Sequence, residues 1–70
     1  MAEGLENRLR EERLTRGWTQ AELAELVGVS RKTINTIENG VFVPSTLLAL
    51  KIARAFGLRV EDLFSLTDGQ

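Results

Sequence analysis

Little in this seventy-residue chain is equipped for covalent chemistry. It has no cysteine and no histidine, which closes thiolate and disulfide chemistry and removes the commonest general base and metal ligand. The acidic neighbours Glu11–Glu12 and Glu61–Asp62 are adjacent, and adjacent helical positions point in different directions, so neither pair converges as a general acid and base would. Both read as surface charge. The chain therefore reads as no enzyme, with no cofactor, metal or small-molecule ligand implied. What remains is charge and hydrogen bonding: Arg31 and Lys32, with Thr33, Asn35 and Thr36 close behind them. Nine Lys and Arg against ten Asp and Glu leave a net charge of −1, which argues against coating nucleic acid by bulk electrostatics. Any DNA binding has to come from a local basic face.

The elements that would hold those side chains are written in Thr19 to Gly40, which reads as two helices joined by a tight turn. Thr19 can accept from the backbone N–H three residues on while Glu22 reaches back to the Thr19 N–H, a capping box that starts the first helix. Leu23, Ala24 and Val27 share one face, and Gly28 stands where a left-handed C-terminal residue is wanted. Val29 fills the elbow. Ser30 is a natural N-cap for a second helix that turns Ile34 and Ile37 inward and ends before Gly40. Ala24 is small because two helices joined so tightly must cross closely.

Small residue, glycine, then apolar residue at these spacings is a helix-turn-helix pattern. Its core, Thr-Gln-x-Glu-Leu-Ala-x-x-x-Gly-Val-Ser-x-x-x-Ile-x-x-Ile-Glu-Asn-Gly, resembles the Cro/repressor family of helix-turn-helix DNA-binding domains, and the resemblance runs from Asn7 to Leu66. It implies an all-α, lambda-repressor-like fold, a compact bundle of five helices with the motif at its centre, placed at about residues 7–16, 20–27, 31–39, 46–56 and 60–64 of one domain spanning 1–70. The resemblance also assigns roles. The second motif helix lies in the major groove, so Arg31, Lys32 and Thr36 occupy base-reading positions and Thr33 or Asn35 can add contacts. Arg31 or Lys32 can donate to guanine O6 and N7, and a threonine methyl can touch thymine. Gln20 is the family's phosphate-binding glutamine, Asn39 would meet the backbone across the groove, and Arg10 or Arg16 would add charge. Arg13 would pair with Glu38, tying the first helix to the end of the reading helix.

A chain of this length makes one domain at most, with a thin core. Met1 to Glu6 reads as a loose arm, and Asn7 to Arg16 as an amphipathic helix with Leu9 and Leu14 as its apolar stripe, Asn7 as its cap and Gly17 as its stop. Its arginines, taken singly, also read as a solvated face. Trp18 reads as a packing residue. Between Gly40 and Ser45 the family often places Lys or Arg on a phosphate, whereas this chain has Val41, Phe42 and Val43, which either fold back on the core or form a protein contact surface. Thr46 to Phe56 carries Leu48, Ala49, Ile52, Ala53 and Phe56 on one stripe, with Leu47 and Leu50 beside it. Val60 to Phe64 is a short last helix and Asp68-Gly69-Gln70 a polar tail.

One unit of this size reads too few base pairs to find a site, so the expectation is a homodimer on double-stranded DNA, its reading helices roughly 34 Å apart on an inverted repeat. Leu47, Leu50, Leu58, Val60, Phe64 and Leu66 are the candidates for its contact surface. With no apolar run near the ~20 residues of a membrane span and no leader-like N-terminus, a cytoplasmic protein is expected. The leading expectation is a sequence-specific transcriptional regulator, most simply a repressor. The competing one is a protein-interaction module on the same fold, an antitoxin or adaptor docking through residues 41–43 and the Leu47/Leu50 face.

Overall fold

The computed structural model describes residues 4–67. In chain order these form β1 (Leu5–Asn7), α1 (Leu9–Thr15), α2 (Gln20–Val27), α3 (Arg31–Glu38), α4 (Thr46–Phe56), α5 (Val60–Leu63) and β2 (Phe64–Leu66). The five helices form a lambda-repressor-like arrangement, with a two-stranded antiparallel ribbon beside them, so the purely all-α expectation is corrected. In the ribbon Leu5 pairs with Leu66, Glu6 with Ser65 and Asn7 with Phe64. It is extended by Thr67, whose N–H donates to the Gly4 carbonyl at 3.0 Å. Residues 4–6 are therefore held rather than loose, and Phe64 leaves α5 to begin a strand. Residues 1–3 of the arm and the tail at 68–70 lie outside the described residues.

Three helix starts are fixed by an N-cap hydroxyl. Thr19 Oγ1 accepts from the Glu22 N–H at 3.0 Å while Glu22 Oε1 accepts from the Thr19 N–H at 2.8 Å. Ser30 and Ser45 do the same work for α3 and α4, each accepting from the N–H three residues on at 3.1 Å. α2 ends at Gly28 with φ +78°, where the Gly28 and Val29 N–H groups both reach the Ala24 carbonyl. A residue with a Cβ would be strained there, so glycine permits the abrupt reversal that sets α3 against α2.

Leu9, Leu23, Ile34, Ile37, Ile52 and Leu63 are the largest fully enclosed side chains, and Ala24, Val27, Ala53, Phe56 and Phe64 complete the core. The first helix departs from its expected stripe. Leu14 is 59% exposed, while Arg13 is only 8% exposed. One turn from Leu9 is position 13, not 14, so the inward face of α1 carries a guanidinium. α1 is also shorter than 7–16: Asn7 sits in β1, although its Oδ1 still accepts from the Leu9 N–H at 3.2 Å. At the other end of α1, Arg16 is tied to Glu12 at 2.6 Å and to the Phe56 carbonyl at 2.7 Å. Its guanidinium lies over the Phe56 ring at 4.7 Å, and Phe56 stacks on Trp18 with centroids 5.4 Å apart.

Candidate nucleic-acid interface

The site is built on α3, and the firmest part of it is at that helix's C-terminal end. Arg13 reaches from α1 with Nε donating to Glu38 Oε2 at 2.8 Å and Nη2 donating to Oε1 at 3.3 Å, a two-point grip on the carboxylate. Its third nitrogen, Nη1, donates to the Trp18 carbonyl at 2.8 Å. The Glu38 side chain is 2% exposed, so the one carboxylate of α3 is withdrawn from solvent and its charge is answered inside the protein. Asn7 adds a second tie, its Nδ2 donating to the Ile37 carbonyl at 2.9 Å. The α3 end is thus fastened to both α1 and β1. The role of Asn7 was missed from the sequence, because it depends on a strand that three residues are too few to announce.

A polar relay crosses from α2 to α3. Gln20 Nε2 donates to Asn35 Oδ1 at 3.1 Å and to Glu38 Oε1 at 3.0 Å, which uses both of its amide hydrogens. Gln20 Oε1 accepts from Arg31 Nη1 at 3.2 Å, and Asn39 Nδ2 donates to Asn35 Oδ1 at 3.3 Å. Gln20, Arg31, Asn35, Glu38 and Asn39 therefore form one connected set. Gln20 has no amide hydrogen left for a phosphate in this arrangement. An anion there meets the exposed start of α2 first.

Arg31 and Lys32 stand exposed in the first turn of α3, with Thr33, Asn35 and Thr36 half-buried along the same helix. Arg10 is exposed on α1, whereas the donors of Arg16 are engaged by Glu12 and Phe56. Val41, Phe42 and Val43 do not fold back on the core: they are 77%, 46% and 67% exposed. The Val41 and Phe42 N–H groups both donate to the Thr36 carbonyl, which lays this connection along the end of α3. Of the candidate dimer-contact residues, Leu47, Leu50 and Leu66 are exposed and Leu58 and Val60 half-buried. Phe64 is 8% exposed and belongs to the core, because β2 turns it inward. Leu50, Leu58 and Val60 line one shallow groove with Ala53, Arg54 and Gly57.

The chain has counterparts in known proteins. The helix-turn-helix family model matches residues 9–63. This chain belongs to the Cro/repressor-type helix-turn-helix family. Among family members, an uncharacterized HTH-type transcriptional regulator of Bacillus subtilis, YgzD, is 47% identical over 64 residues, covering 91% of this chain and 97% of its own. Another uncharacterized HTH-type regulator, from Archaeoglobus fulgidus, is 52% identical over 64 residues, with 91% of each chain covered. Of solved structures, the restriction-modification controller protein C.AhdI from Aeromonas hydrophila is 33% identical with a TM-score of 0.73, covering 77% of this chain and 82% of its own. The clp gene regulator ClgR from Corynebacterium glutamicum is 35% identical with the same TM-score of 0.73, covering 77% of this chain but 57% of its own. The family is one of DNA-binding transcription regulators, and no helix among the described residues is long and apolar enough to cross a membrane.

Proposed function

We propose that residues 1–70 act as one DNA-binding domain that represses transcription by occupying an inverted-repeat operator as a homodimer. The observation that carries this reading is the division of charge along α3, with Arg31 and Lys32 exposed at its start and Glu38 enclosed by Arg13 at its end. A helix so arranged offers donors to base edges without bringing a carboxylate toward phosphates. Arg31 and Lys32 read guanine acceptors, with Thr36, Thr33 and Asn35 in support, while Arg10, Asn39 and the exposed backbone N–H groups at the start of α2 meet the sugar-phosphate backbone. The relay through Gln20 fixes the direction in which Arg31 leaves the helix. Pairing of two copies through Leu47, Leu50, Leu58, Val60 and Leu66 doubles the sequence read. The relatives described as transcriptional regulators favour this reading over an antitoxin or adaptor role.

The test is selection of duplexes from a randomised pool at near-physiological salt, where phosphate attraction alone is weak. An inverted repeat with half-sites about one turn apart is expected. Arg31→Ala combined with Lys32→Ala should abolish that selection without lowering the thermal midpoint, since both side chains are exposed and their charges sit at the positive end of α3. A pool that stays random would refute operator binding and turn attention to a protein partner.

A further inference from the structure

The connection from α3 to α4 carries apolar side chains where a DNA-facing loop would ordinarily be polar, and it is not free to swing away. The N–H groups of Val41 and Phe42 donate to the Thr36 carbonyl at 2.9 and 3.2 Å. With Lys32, Thr33 and Thr36 these two residues line a notch open to solvent on the reading side of α3. The threonine hydroxyls beside the notch each already hold one partner in α3 or its cap. Thr36 Oγ1 donates to the Thr33 carbonyl at 2.9 Å, and Thr33 Oγ1 shares a hydrogen bond with Ser30 Oγ at 3.0 Å. Each hydroxyl keeps lone pairs that can accept, and beside it each threonine offers a methyl group. With Val41 and Phe42 the walls are mainly apolar, and Lys32 supplies a cation beside them.

We infer that this notch receives the 5-methyl group of a thymine in the major groove, making Val41 and Phe42 specificity-determining residues alongside α3. The inference rests on the operator-binding reading above. A thymine methyl is the one apolar group that base pairs project into the major groove, and it stands among acceptors that suit a neighbouring ammonium. The notch is continuous with the base-reading surface, because Lys32 and Thr36 belong to both. It also matches the exposure of the loop: Val41 and Phe42 lie 77% and 46% open in the free chain. Burying them against a methyl removes that apolar surface from water without demanding a hydrogen bond from either partner.

The experiment uses the full chain and its selected operator, with each thymine replaced in turn by deoxyuridine, which deletes only the methyl. One thymine in each half-site should be sensitive, with a loss of about four-fold in affinity per methyl removed, the factor expected for one buried methyl-sized group. In Val41→Ala and Phe42→Ala the thymine and uracil duplexes should bind alike at that position. Far-UV circular dichroism of the variants checks that the exposed loop changes leave the fold intact. If no replacement changes binding, or the sensitivity persists in both variants, the inference is overturned while operator binding stands. If no sequence is selected at all, the reading beneath it fails, and the inference falls with it.

Discussion

Arg13→Ala should be among the most damaging single substitutions in the chain, for a reason other than lost packing. Alanine suits a helix at least as well as arginine, so α1 loses nothing in propensity. The loss lies in what is left behind. The Glu38 carboxylate, its side chain 2% exposed, keeps only the Gln20 amide, and the Trp18 carbonyl loses its donor. Removing one partner of a buried, hydrogen-bonded ion pair costs about 3–5 kcal/mol. A seventy-residue domain has roughly 4–10 kcal/mol in total, at about 0.05–0.15 kcal/mol per residue, so the variant should be marginally folded or unfolded. At about 4–8 °C per kcal/mol, the thermal midpoint should fall by roughly 12 °C or more. Urea unfolding of Arg13→Ala, Glu38→Ala and the double variant separates the pair's coupling from the rest. Because the double variant strands neither charge, its cost should be less than the sum, with a coupling of about 2–3 kcal/mol. A coupling below about 1 kcal/mol, the range of exposed pairs, would refute the argument that burial makes this pair indispensable.

Other outcomes follow from the same geometry. Gly28→Ala meets no atom within 4 Å but must hold φ at +78°, so it should cost about 1–2 kcal/mol by urea unfolding, a purely conformational loss. Leu50→Glu, at a side chain 54% exposed, should leave the unfolding free energy of the subunit from urea within about 0.5 kcal/mol of the parent and shift the proposed homodimer to monomer in sedimentation velocity. Lys32→Glu should raise the unfolding free energy measured in urea by up to about 1 kcal/mol, because a cation at the positive end of α3 is replaced by an anion. The same change should abolish operator binding, measured by fluorescence anisotropy.

The motif itself was legible because each of its signals is local. Thr19 with Glu22, Gly28, and Ser30 mark ends within one turn of chain, and the apolar spacing of Leu23, Ala24, Val27, Ile34 and Ile37 marks the faces. The ribbon was not, since Leu5–Asn7 and Phe64–Leu66 are too short to show a period and pair across nearly the whole described chain. Its absence from the sequence reading explains two further misplacements: Phe64, assigned to a helix, and residues 4–6, assigned to a loose arm. Leu14 was placed inward by residue type, but helical geometry gives the inward position to Arg13, whose charge becomes acceptable only once Glu38 is brought to it from twenty-five residues away. Likewise, the sequence distinguishes Gln20 as a helix-start residue, but that both its hydrogens go to α3 is set by the crossing of the two helices.

Tertiary ties and local ones together leave the basic start of α3 exposed in a chain of net charge −1. Glu38 is neutralised from within by Arg13, and Glu12 is held by Arg8 at 3.8 Å and Arg16 at 2.6 Å. Glu22 is turned onto the Thr19 N–H. Arg31 and Lys32 meanwhile sit in a first turn that carries no acidic residue, where the helix dipole opposes them. That placement is unfavourable for the isolated helix by about 0.3–1 kcal/mol per charge, and the stability of the fold does not require it. An acceptor-rich or anionic ligand at the start of α3 relieves the repulsion and gains the donors together. The repulsion is small enough for the capped, packed helix to carry in the free chain, and DNA bound in the proposed orientation would relieve it.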